Sequence, residues 1–213
     1  GECGVPTVNR FHMPGERSRG NGIFWHSYDF GSLHTVMLSS EHSCGEGSTQ
    51  HIWLEKDLAS VDRSRTPWLV VEIHRPMYNN ADFLSDYNVA VGFQGQFEEL
   101  LVRYDVDLVL AGHYHSYLRS KRIYKDKADD AKGIYHFTIG SAGASLDNVP
   151  LIGGLYPKDW VEHFDNDYGF GRITIENSTV MHWEYIRNKD NHDVPTVLDE
   201  TWIVKKPAPV LFS

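Results

Sequence analysis

The sequence predicts an α/β fold, and three observations support this prediction. Two apolar runs of strand length, Trp68–Ile73 and Asp107–Ala111, enclose a segment with helical periodicity. Further short runs rich in aromatic and β-branched residues follow, and 18 glycines punctuate the chain. At 213 residues and 41% hydrophobic composition, the chain is long enough to bury a sizeable core. We therefore predict a single domain over residues 1–213.

The charge balance argues against two classes of partner. The chain has 20 basic and 29 acidic residues, a formal net charge of −9, so we expect neither nucleic acid nor an anionic membrane to attract it. No window approaches the roughly 20 apolar residues that cross a bilayer, and the opening "GECGVP" lacks the basic and apolar regions of a signal peptide. We expect a soluble chain in which an anionic substrate requires a local positive centre.

The first third of the chain predicts two strands and a helix. Tyr28 and Leu33–Leu38 belong to short aromatic and β-branched runs joined around Gly31. Ser48 or Thr49 then precedes a helical pattern as a candidate cap. The apolar residues of that pattern are Ile52, Leu54 and Leu58.

The middle of the chain predicts a βαβ unit. The strand Trp68–Ile73 is bounded by prolines, and a polar loop over residues 79–92 follows it. A helix then places one apolar face towards the core. That face consists of Phe93, Phe97, Leu100, Leu101 and Tyr104. The strand Asp107–Ala111 completes the unit, so the two strands run parallel and their carboxyl ends open on the same side.

The remaining chain is predicted to be rich in strands. The candidates are residues 133–144, residues 168–176, residues 179–188 and an edge strand at residues 200–206. The second and third form a hairpin around the glycosylation sequon Asn177–Thr179. The mixed charge run at residues 121–132 predicts a solvated loop.

Three histidines lie at the predicted carboxyl ends of the parallel strands. His74 ends the first strand, and His113 and His115 follow the second, where ligands bind in open α/β sheets. Because alternate residues of an extended loop point in different directions, His113 and His115 could serve two metal ions about 3.5–4 Å apart. Gly112 lets the backbone turn without a Cβ clash. Imidazole commonly binds zinc, iron or manganese, so the pattern predicts a metal site.

A structural role is the alternative for each histidine. A single histidine at a strand end is more often a hydrogen-bonded structural residue than a ligand. Two histidine endings on adjacent strands favour the metal site. For the other nine histidines, among them His136, His163 and His182, no partner motif is present, and we expect structural or surface roles.

Several stretches of the chain resemble the C-terminal part of the purple acid phosphatases, within the calcineurin-like metallophosphoesterases. The similarity runs in order from residue 1 to about residue 190. The stretches are "GECGVP", "WLEKDLASVDRSRTPW", "VVEIHRPMY", "DLVLAGHYHSY" and "YGFGRITIENSTVMHWEYIRN". The resemblance implies two packed β-sheets flanked by helices, a binuclear centre of iron plus zinc or manganese at their rim, and hydrolysis of phosphate esters.

The resemblance also implies a role for each histidine of the two motifs. Val71–His74 and Gly112–His115 match the last two of the family's five metal-ligand blocks. By this match, His74 and His113 bind the divalent metal and His115 binds the iron.

The first three blocks are Asp-x-Gly, Gly-Asp-x-x-Tyr and Gly-Asn-His, and the last two of these do not occur in the chain. An Asp-x-Gly is present at Asp29–Gly31, but it precedes its apolar run and no Gly-Asp follows it, so we interpret it as a turn and not as the first block. We therefore expect the chain to be the C-terminal portion of a metallophosphoesterase catalytic domain, and a possible partner is the missing N-terminal half. Without those acids, activity of this chain alone is doubtful. The alternative is a catalytically inactive, phosphatase-like binding or interaction domain.

Two further departures from the family concern acids near the site. Some plant members have histidines after the "HRPMY" segment that act on the leaving group, whereas here only Asp82 and Asp86 are available, and we expect both to be solvated. Glu72 stands where the family usually has a small residue. Because a buried carboxylate is costly without a partner, we expect Glu72 to pair with Arg75 or Arg119.

The cysteines and the sequon leave the cellular location open. Cys3 and Cys44 are the only cysteines, and they could pair with each other or with nothing. Asn177 is a candidate glycosylation site, which weakly favours a secreted, extracellular or vacuolar protein.

Overall fold

The computed structural model describes residues 4–79, 84–147, 158–188 and 196–206, with the side chains of residues 84–86 left out. The helices in these residues are α1 (Val5–Arg10), α2 (Thr49–Ser60) and α3 (Leu84–Arg103). The first strands are β1 (His26–Phe30), β2 (Leu33–Leu38), β3 (Trp68–Ile73), β4 (Leu108–Ala111), β5 (Tyr117–Tyr124) and β6 (Lys127–Ala128). The later strands are β7 (Ile134–Ile139), β8 (Val161–Asp165), β9 (Gly169–Ile175), β10 (Val180–Arg187) and β11 (Thr196–Val204).

The strands form two sheets, which confirms the predicted α/β class. The larger sheet has the order β1-β2-β3-β4-β7-β5-β6, with β8 paired to β5, and the smaller has the order β11-β10-β9. The strands from β2 to β4 and β7 pair in parallel, whereas the neighbours on both sides pair antiparallel. A parallel centre therefore carries the carboxyl ends that the sequence predicted to meet.

Alternate residues of β3 face two different hydrophobic cores, one on each side of the larger sheet. Leu69, Val71 and Ile73 pack with the apolar faces of α2 and α3. Trp68 and Val70 point to the other side, where they pack with residues of the smaller sheet such as Trp183. The larger sheet thus lies between the helices and the smaller sheet, and two sheets with helices outside match the predicted architecture.

The predicted βαβ unit is confirmed. Val70 pairs with Leu108 and Ile73 with Ala111 in parallel register. The helix, however, begins at Leu84, within the stretch predicted to be a polar loop. Its glycines reduce helix propensity, but burial of Phe93 on the core face supplies tertiary packing that outweighs this preference.

The second helix agrees with its predicted start and differs in its buried face. Ser48 is the N-cap, and its side chain accepts a hydrogen bond from the backbone N–H of His51 at 3.2 Å. Ile52 was predicted to face the core but is 44% exposed, while Trp53 is buried together with Leu54 and Leu58. The buried face of α2 therefore includes Trp53 where the prediction had Ile52, so the predicted face was rotated about the helix axis relative to the observed one.

The charge run at residues 121–132 is not a solvated loop, contrary to the prediction. Its first residues complete β5, where Ile123 is buried, and β6 follows after a tight turn. Lys125 and Asp126 form that turn with φ values of 51° and 60°. Two consecutive left-handed residues are typical of the primed turns that join hairpin strands. Strand β5 was not predicted because it buries only some of its residues, and the charged residues among them suggested a loop.

A buried polar network joins the two sheets. Asp199 on β11 accepts a hydrogen bond from the Tyr117 hydroxyl of β5 at 2.6 Å and two from the Arg119 guanidinium at 2.6 and 2.9 Å. Trp183 Nε1 donates to the Tyr117 hydroxyl at 2.9 Å, and the rings of Tyr117 and Tyr185 stack at 3.9 Å. These contacts fix how the smaller sheet lies on the larger one.

The predicted hairpin and edge strand are also present. Strands β9 and β10 pair antiparallel around the sequon, and β11 pairs with the other side of β10. Beyond β11, the ammonium of Lys205 contacts both carboxylate oxygens of Asp107 at 2.7 Å. Asp107 in turn accepts the backbone N–H of Leu69 at 2.9 Å, so the end of β11 is attached to the βαβ unit.

Among the residues that the structure describes, no helix is both long enough and apolar enough to traverse a bilayer.

Candidate metal centre

The parallel pairing of β3 and β4 brings His74 and His113 together, as predicted. The backbone N–H of Gly112 donates to the carbonyl of His74 at 3.0 Å, which continues the pairing just beyond both strands. His113 follows with a φ of 66°. This left-handed conformation is uncommon for a residue with a side chain and is found at functional sites.

The unusual backbone conformation is therefore that of His113, and not that of Gly112, which was predicted to allow the turn. A Cβ on Gly112 would lie 3.6 Å from His74 Nδ1, an ordinary van der Waals distance, and Gly112 has no positive φ. His113 itself makes the turn that orients the second histidine motif.

Each of the two rings places one nitrogen atom close to a nitrogen of the other. His74 Nε2 and His113 Nδ1 are 3.3 Å apart, and the rings are nearly perpendicular at 83°. Two nitrogens that bind one tetrahedral ion at about 2.0–2.1 Å are separated by roughly 3.3–3.4 Å. The separation therefore suits two ligands of one ion.

His115 is oriented by its surroundings. Its Nδ1 lies 2.7 Å from the carbonyl oxygen of Ser145, and its backbone N–H donates to the Asp147 carboxylate at 2.8 Å. A carbonyl only accepts, so Nδ1 carries the proton and Nε2 keeps its lone pair. This is the usual arrangement of a metal-binding histidine whose other nitrogen is held by the protein.

The electrostatics of the rim favour neutral His74. Although its surface is exposed, the surrounding protein displaces part of the water around the ring, and this lowers the pKa of His74. The nearby charges of His113, Arg75 and His115 lower it further, against an opposing effect of Glu41. A neutral imidazole is the form that binds a metal.

Arg75 contacts this site directly, which the sequence did not predict. Its Nε donates to the Glu41 carboxylate at 2.7 Å, and its Nη1 lies 3.3 Å from His113 Nε2. The hydrogen bond from Arg75 lowers the pKa of Glu41, which keeps that carboxylate ionised. Only the position of Arg75 next to His74 in the sequence could have indicated this contact.

Beside His74 lies a cavity of about 360 Å³ whose lining includes the Glu72 side chain. Burial raises the pKa of Glu72. The predicted pairing of Glu72 with Arg75 or Arg119 is wrong, because Arg75 binds Glu41 and Arg119 binds Asp199. The apolar part of the lining includes Met37, Leu38, Ile73, Leu110 and Ile139.

Three histidines outside the two motifs lie among structural contacts. His136 is buried against the Tyr78 ring, and burial lowers its pKa to about 3. His163 approaches Asp199 at 3.5 Å. His182 stacks on Trp202 and lies 3.1 Å from Glu200. These placements agree with the structural and surface roles predicted for them.

Two other candidate sites can be described in part. Asn177 is exposed at the hairpin turn, where its Oδ1 accepts hydrogen bonds from the backbone N–H groups of Thr179 and Val180 at 2.8 and 3.0 Å. Cys44 is a buried free thiol whose pKa burial raises to about 11. Cys3 and Asp82, like the side chain of Asp86, lie outside the described residues.

Comparisons with known proteins identify the family of the chain. The family model for calcineurin-like phosphoesterases matches residues 6–117, and that for iron/zinc purple acid phosphatase-like protein C matches residues 133–200. The fold and the first match define a metallophosphoesterase. With the second, the chain belongs to the purple acid phosphatase family of calcineurin-like phosphoesterases.

Individual relatives show how much of such proteins the chain represents. Probable purple acid phosphatase 20 of Arabidopsis thaliana is 34% identical over 91% of this chain and 44% of its own length. Probable inactive purple acid phosphatase 27 of the same plant is 34% identical over 94% of this chain and 34% of its own length. The chain thus spans less than half the length of these relatives.

A solved structure shows the same fold. Purple acid phosphatase PPD1 from yellow lupin (Lupinus luteus) seeds superimposes with a TM-score of 0.78 at 28% identity, covering 100% of this chain and 40% of that protein.

Proposed function

We propose that this chain supplies the histidine ligands of a binuclear metal centre that hydrolyses phosphate esters. His74 Nε2 and His113 Nδ1 would bind the divalent ion, zinc or manganese, and His115 Nε2 would bind the iron. The 3.3 Å separation of the first two nitrogens carries the proposal, because it suits one shared ion. The family matches, one of which is described as iron/zinc, support the choice of metals.

The residues of the rim fit the metals in part. Two such metal ions, when bound, polarise the phosphoryl oxygens of a substrate and lower the pKa of a bound water molecule towards about 7. Three neutral imidazoles hold the ions but do not offset their charge. We therefore propose that residues 1–213 form the C-terminal portion of a larger catalytic domain and that a preceding segment supplies the acidic ligands.

Zinc titration of the chain tests the ligand assignment. We expect zinc binding to weaken by more than about tenfold in His74→Ala and in His113→Ala, since even the loss of an outer contact to a metal ligand costs 10–100-fold. His12→Ala is the control, because His12 is exposed and, unlike His182, is not grouped with other side chains that could hold a metal ion. Isothermal titration calorimetry measures the affinities. Equal zinc affinity of the wild type and His74→Ala would contradict the assignment.

Binding without catalysis is the second candidate function. One relative with 34% identity is named probable inactive, and the chain lacks the first three ligand blocks. Hydrolysis of p-nitrophenyl phosphate and its bis ester, with iron and zinc added, separates the two functions. Metal-dependent turnover that His113→Ala abolishes supports the enzyme. Zinc binding with no turnover above His113→Ala supports the binding domain.

We further propose that Asn177 is glycosylated and that the protein is secreted or vacuolar. The exposed turn leaves the Asn177 Nδ2 accessible, and Thr179 completes the sequon. Expression through a eukaryotic secretory route should give a mass increase that a glycosidase removes. Asn177→Gln should lack that increase. An unmodified wild-type mass would contradict the proposal.

A further inference from the structure

Three side chains that can bind metal ions lie together on the outer face of the smaller sheet. They are His182 and Glu184 on β10 and Glu200 on β11. Side chains along a strand alternate between the two faces of a sheet, and Trp183, which lies between the first two, packs in the core against the larger sheet. Glu184 pairs directly with Glu200 across the two strands. The three side chains therefore share the face that points away from the larger sheet.

The ligand atoms of this cluster are spaced for a single ion. His182 Nε2 lies 3.1 Å from a carboxylate oxygen of Glu200, and His182 Nδ1 lies 3.9 Å from a carboxylate oxygen of Glu184. One nitrogen or oxygen atom from each side chain lies within 4.8 Å of the other two. Ligand atoms that bind one tetrahedral zinc ion at about 2.0–2.2 Å are separated by roughly 3.3–3.6 Å. Small rotations of the side chains are therefore sufficient to bring three ligands onto one ion.

The charges of the cluster favour a cation. Glu184 and Glu200 lie directly opposite each other, and like charges in that position destabilise a sheet. Arg172 on β9 offsets one of the two charges, since its guanidinium donates to both carboxylate oxygens of Glu184 at 2.7 and 2.8 Å. A carboxylate has about four lone pairs, so Glu184 keeps acceptor capacity for an ion. An ion between the two carboxylates would replace their repulsion by attraction to a shared cation.

Neighbouring side chains hold two of the three ligands in place. The side chains of Glu184 and His182 are 10% and 15% exposed, whereas that of Glu200 is 63% exposed. The His182 ring stacks on Trp202 at 4.2 Å, with 13° between the ring planes. The two hydrogen bonds from Arg172 fix the Glu184 carboxylate. Ion binding therefore restricts mainly Glu200, and such preorganisation favours affinity.

We propose that His182, Glu184 and Glu200 form a second metal site, which binds a divalent transition-metal ion such as zinc. One imidazole with two carboxylates is a ligand set that zinc accepts, and water completes the tetrahedron. The ion links β10 to β11 and stabilises the smaller sheet, because it binds the folded chain. The proposal does not rest on the function of the rim, since His74 and His113 follow strands of the larger sheet.

Zinc titration of a rim variant, in which alanine replaces all three histidines of the two motifs, tests the second site. Calorimetry of this full-length variant should still show zinc binding. Adding His182→Gln or Glu200→Gln should weaken that binding by more than about tenfold, since even the loss of an outer contact to a metal ligand costs 10–100-fold. Glu162→Gln is the matched control for Glu200→Gln, because Glu162 on β8 is also an exposed glutamate, 3.9 Å from Lys121.

NMR of the wild-type chain locates the ion without any substitution. Addition of zinc should shift the backbone ¹H–¹⁵N signals of residues 182–184 and 200–202. Because Glu200 is largely exposed, Glu200→Gln should fold even if His182→Gln does not.

The outcomes separate this proposal from that for the rim. No zinc binding by the rim variant, unchanged affinity in a folded His182→Gln or Glu200→Gln form of it, or unshifted signals of residues 182–184 and 200–202 overturns the second site. In that case, zinc binding by the wild type that depends on His74 leaves the rim assignment intact. Zinc binding that depends only on His182 and Glu200 supports the second site and contradicts the rim assignment.

Discussion

His113 combines two demands on a single residue, because its ring faces His74 while its backbone has a φ of 66°. In the left-handed region, glycine is more favourable than residues with a Cβ by about 1–2 kcal/mol. We predict that His113→Gly has a free energy of unfolding about 1 kcal/mol higher than that of His113→Ala, measured with urea.

His115 provides the control for this prediction, since its φ is not positive. There, the alanine variant should be at least as stable as the glycine variant. If His113→Ala proves as stable as His113→Gly, the left-handed conformation is not present in solution.

His34 predicts a pH dependence of stability far from the metal site. Its Nδ1 lies 2.7 Å from Asp29 and its Nε2 lies 3.0 Å from Asp57. Burial alone would lower the pKa of His34, but the hydrogen bonds to Asp57 and Asp29 outweigh it and raise the pKa above the ordinary 6.5. The folded protein therefore holds this proton more tightly than the unfolded chain.

The stabilisation from protonated His34 is fully present below about pH 6.5 and is lost as the pH rises through the raised folded-state pKa. We predict that the free energy of unfolding falls over this range in the wild type and that His34→Gln reduces the slope. Urea unfolding between about pH 5 and pH 9 measures it. An unchanged slope in His34→Gln would assign the pH dependence to other groups.

At the residue scale, the sequence predicted which side chains share the rim but not how they are held. Parallel strands place His74 near His113 whenever both follow strand ends, so periodicity was sufficient for that contact. The contact of Arg75 with His113 depends on a side-chain rotamer and on Glu41, 34 residues earlier. The Glu72 pairing was wrong because each arginine found a nearer carboxylate.

At the scale of elements, α3 contains two glycines, of which Gly92 was predicted to lie in the polar loop and Gly95 in the helix. Gly92 and Gly95 are exposed, and a Cβ at either position would meet nothing within 4 Å. We predict that Gly92→Ala and Gly95→Ala each raise the free energy of unfolding by about 0.5–1 kcal/mol, because glycine loses more backbone freedom on helix formation.

A glycine in a crowded position serves as the contrast. A Cβ on Gly171 would lie 2.1 Å from a ring carbon of Trp183, so Gly171→Ala should destabilise the protein in the same denaturant series. If Gly92→Ala and Gly95→Ala both lowered stability, the helix would not extend over these positions in solution.

The elements that periodicity predicted well are those buried on both faces or clearly on one. β3 was predicted with its observed bounds because six consecutive residues lie inside the fold. β5, β6 and β8 were missed because charged and polar residues conceal these strands. β6 has only two residues, and β8 pairs with β5, which lies far from it along the chain. Pairing partners of that kind are not visible in a local pattern.

At the scale of the whole molecule, Asp199 connects the two sheets. Burial alone would raise its pKa, but the hydrogen bonds from Arg119 and Tyr117 outweigh this and lower it. We predict that Asp199→Asn lowers the free energy of unfolding by about 3–5 kcal/mol, because it leaves the Arg119 charge without its partner. Thermal and urea unfolding measure the loss.

Glu162→Gln is the control for that prediction. Glu162 is 42% exposed and lies 3.9 Å from Lys121, and an exposed pair contributes only about 0–1 kcal/mol. Equal stability of the Asp199→Asn and Glu162→Gln variants would show that the two sheets are held mainly by apolar packing. The sequence indicated two sheets through family resemblance, but not the residues that join them.

The sequon turn and the histidines lie at opposite ends of one strand. Trp68, the first residue of β3, donates from Nε1 to the carbonyl oxygen of Asn177 at 2.8 Å, whereas His74 follows the last residue. Six residues at about 3.3 Å each put roughly 20 Å between them. A biotin or dye attached at Ser178 would therefore anchor the molecule to a surface by its far end, with the imidazoles facing the bulk solution and open to diffusing solutes.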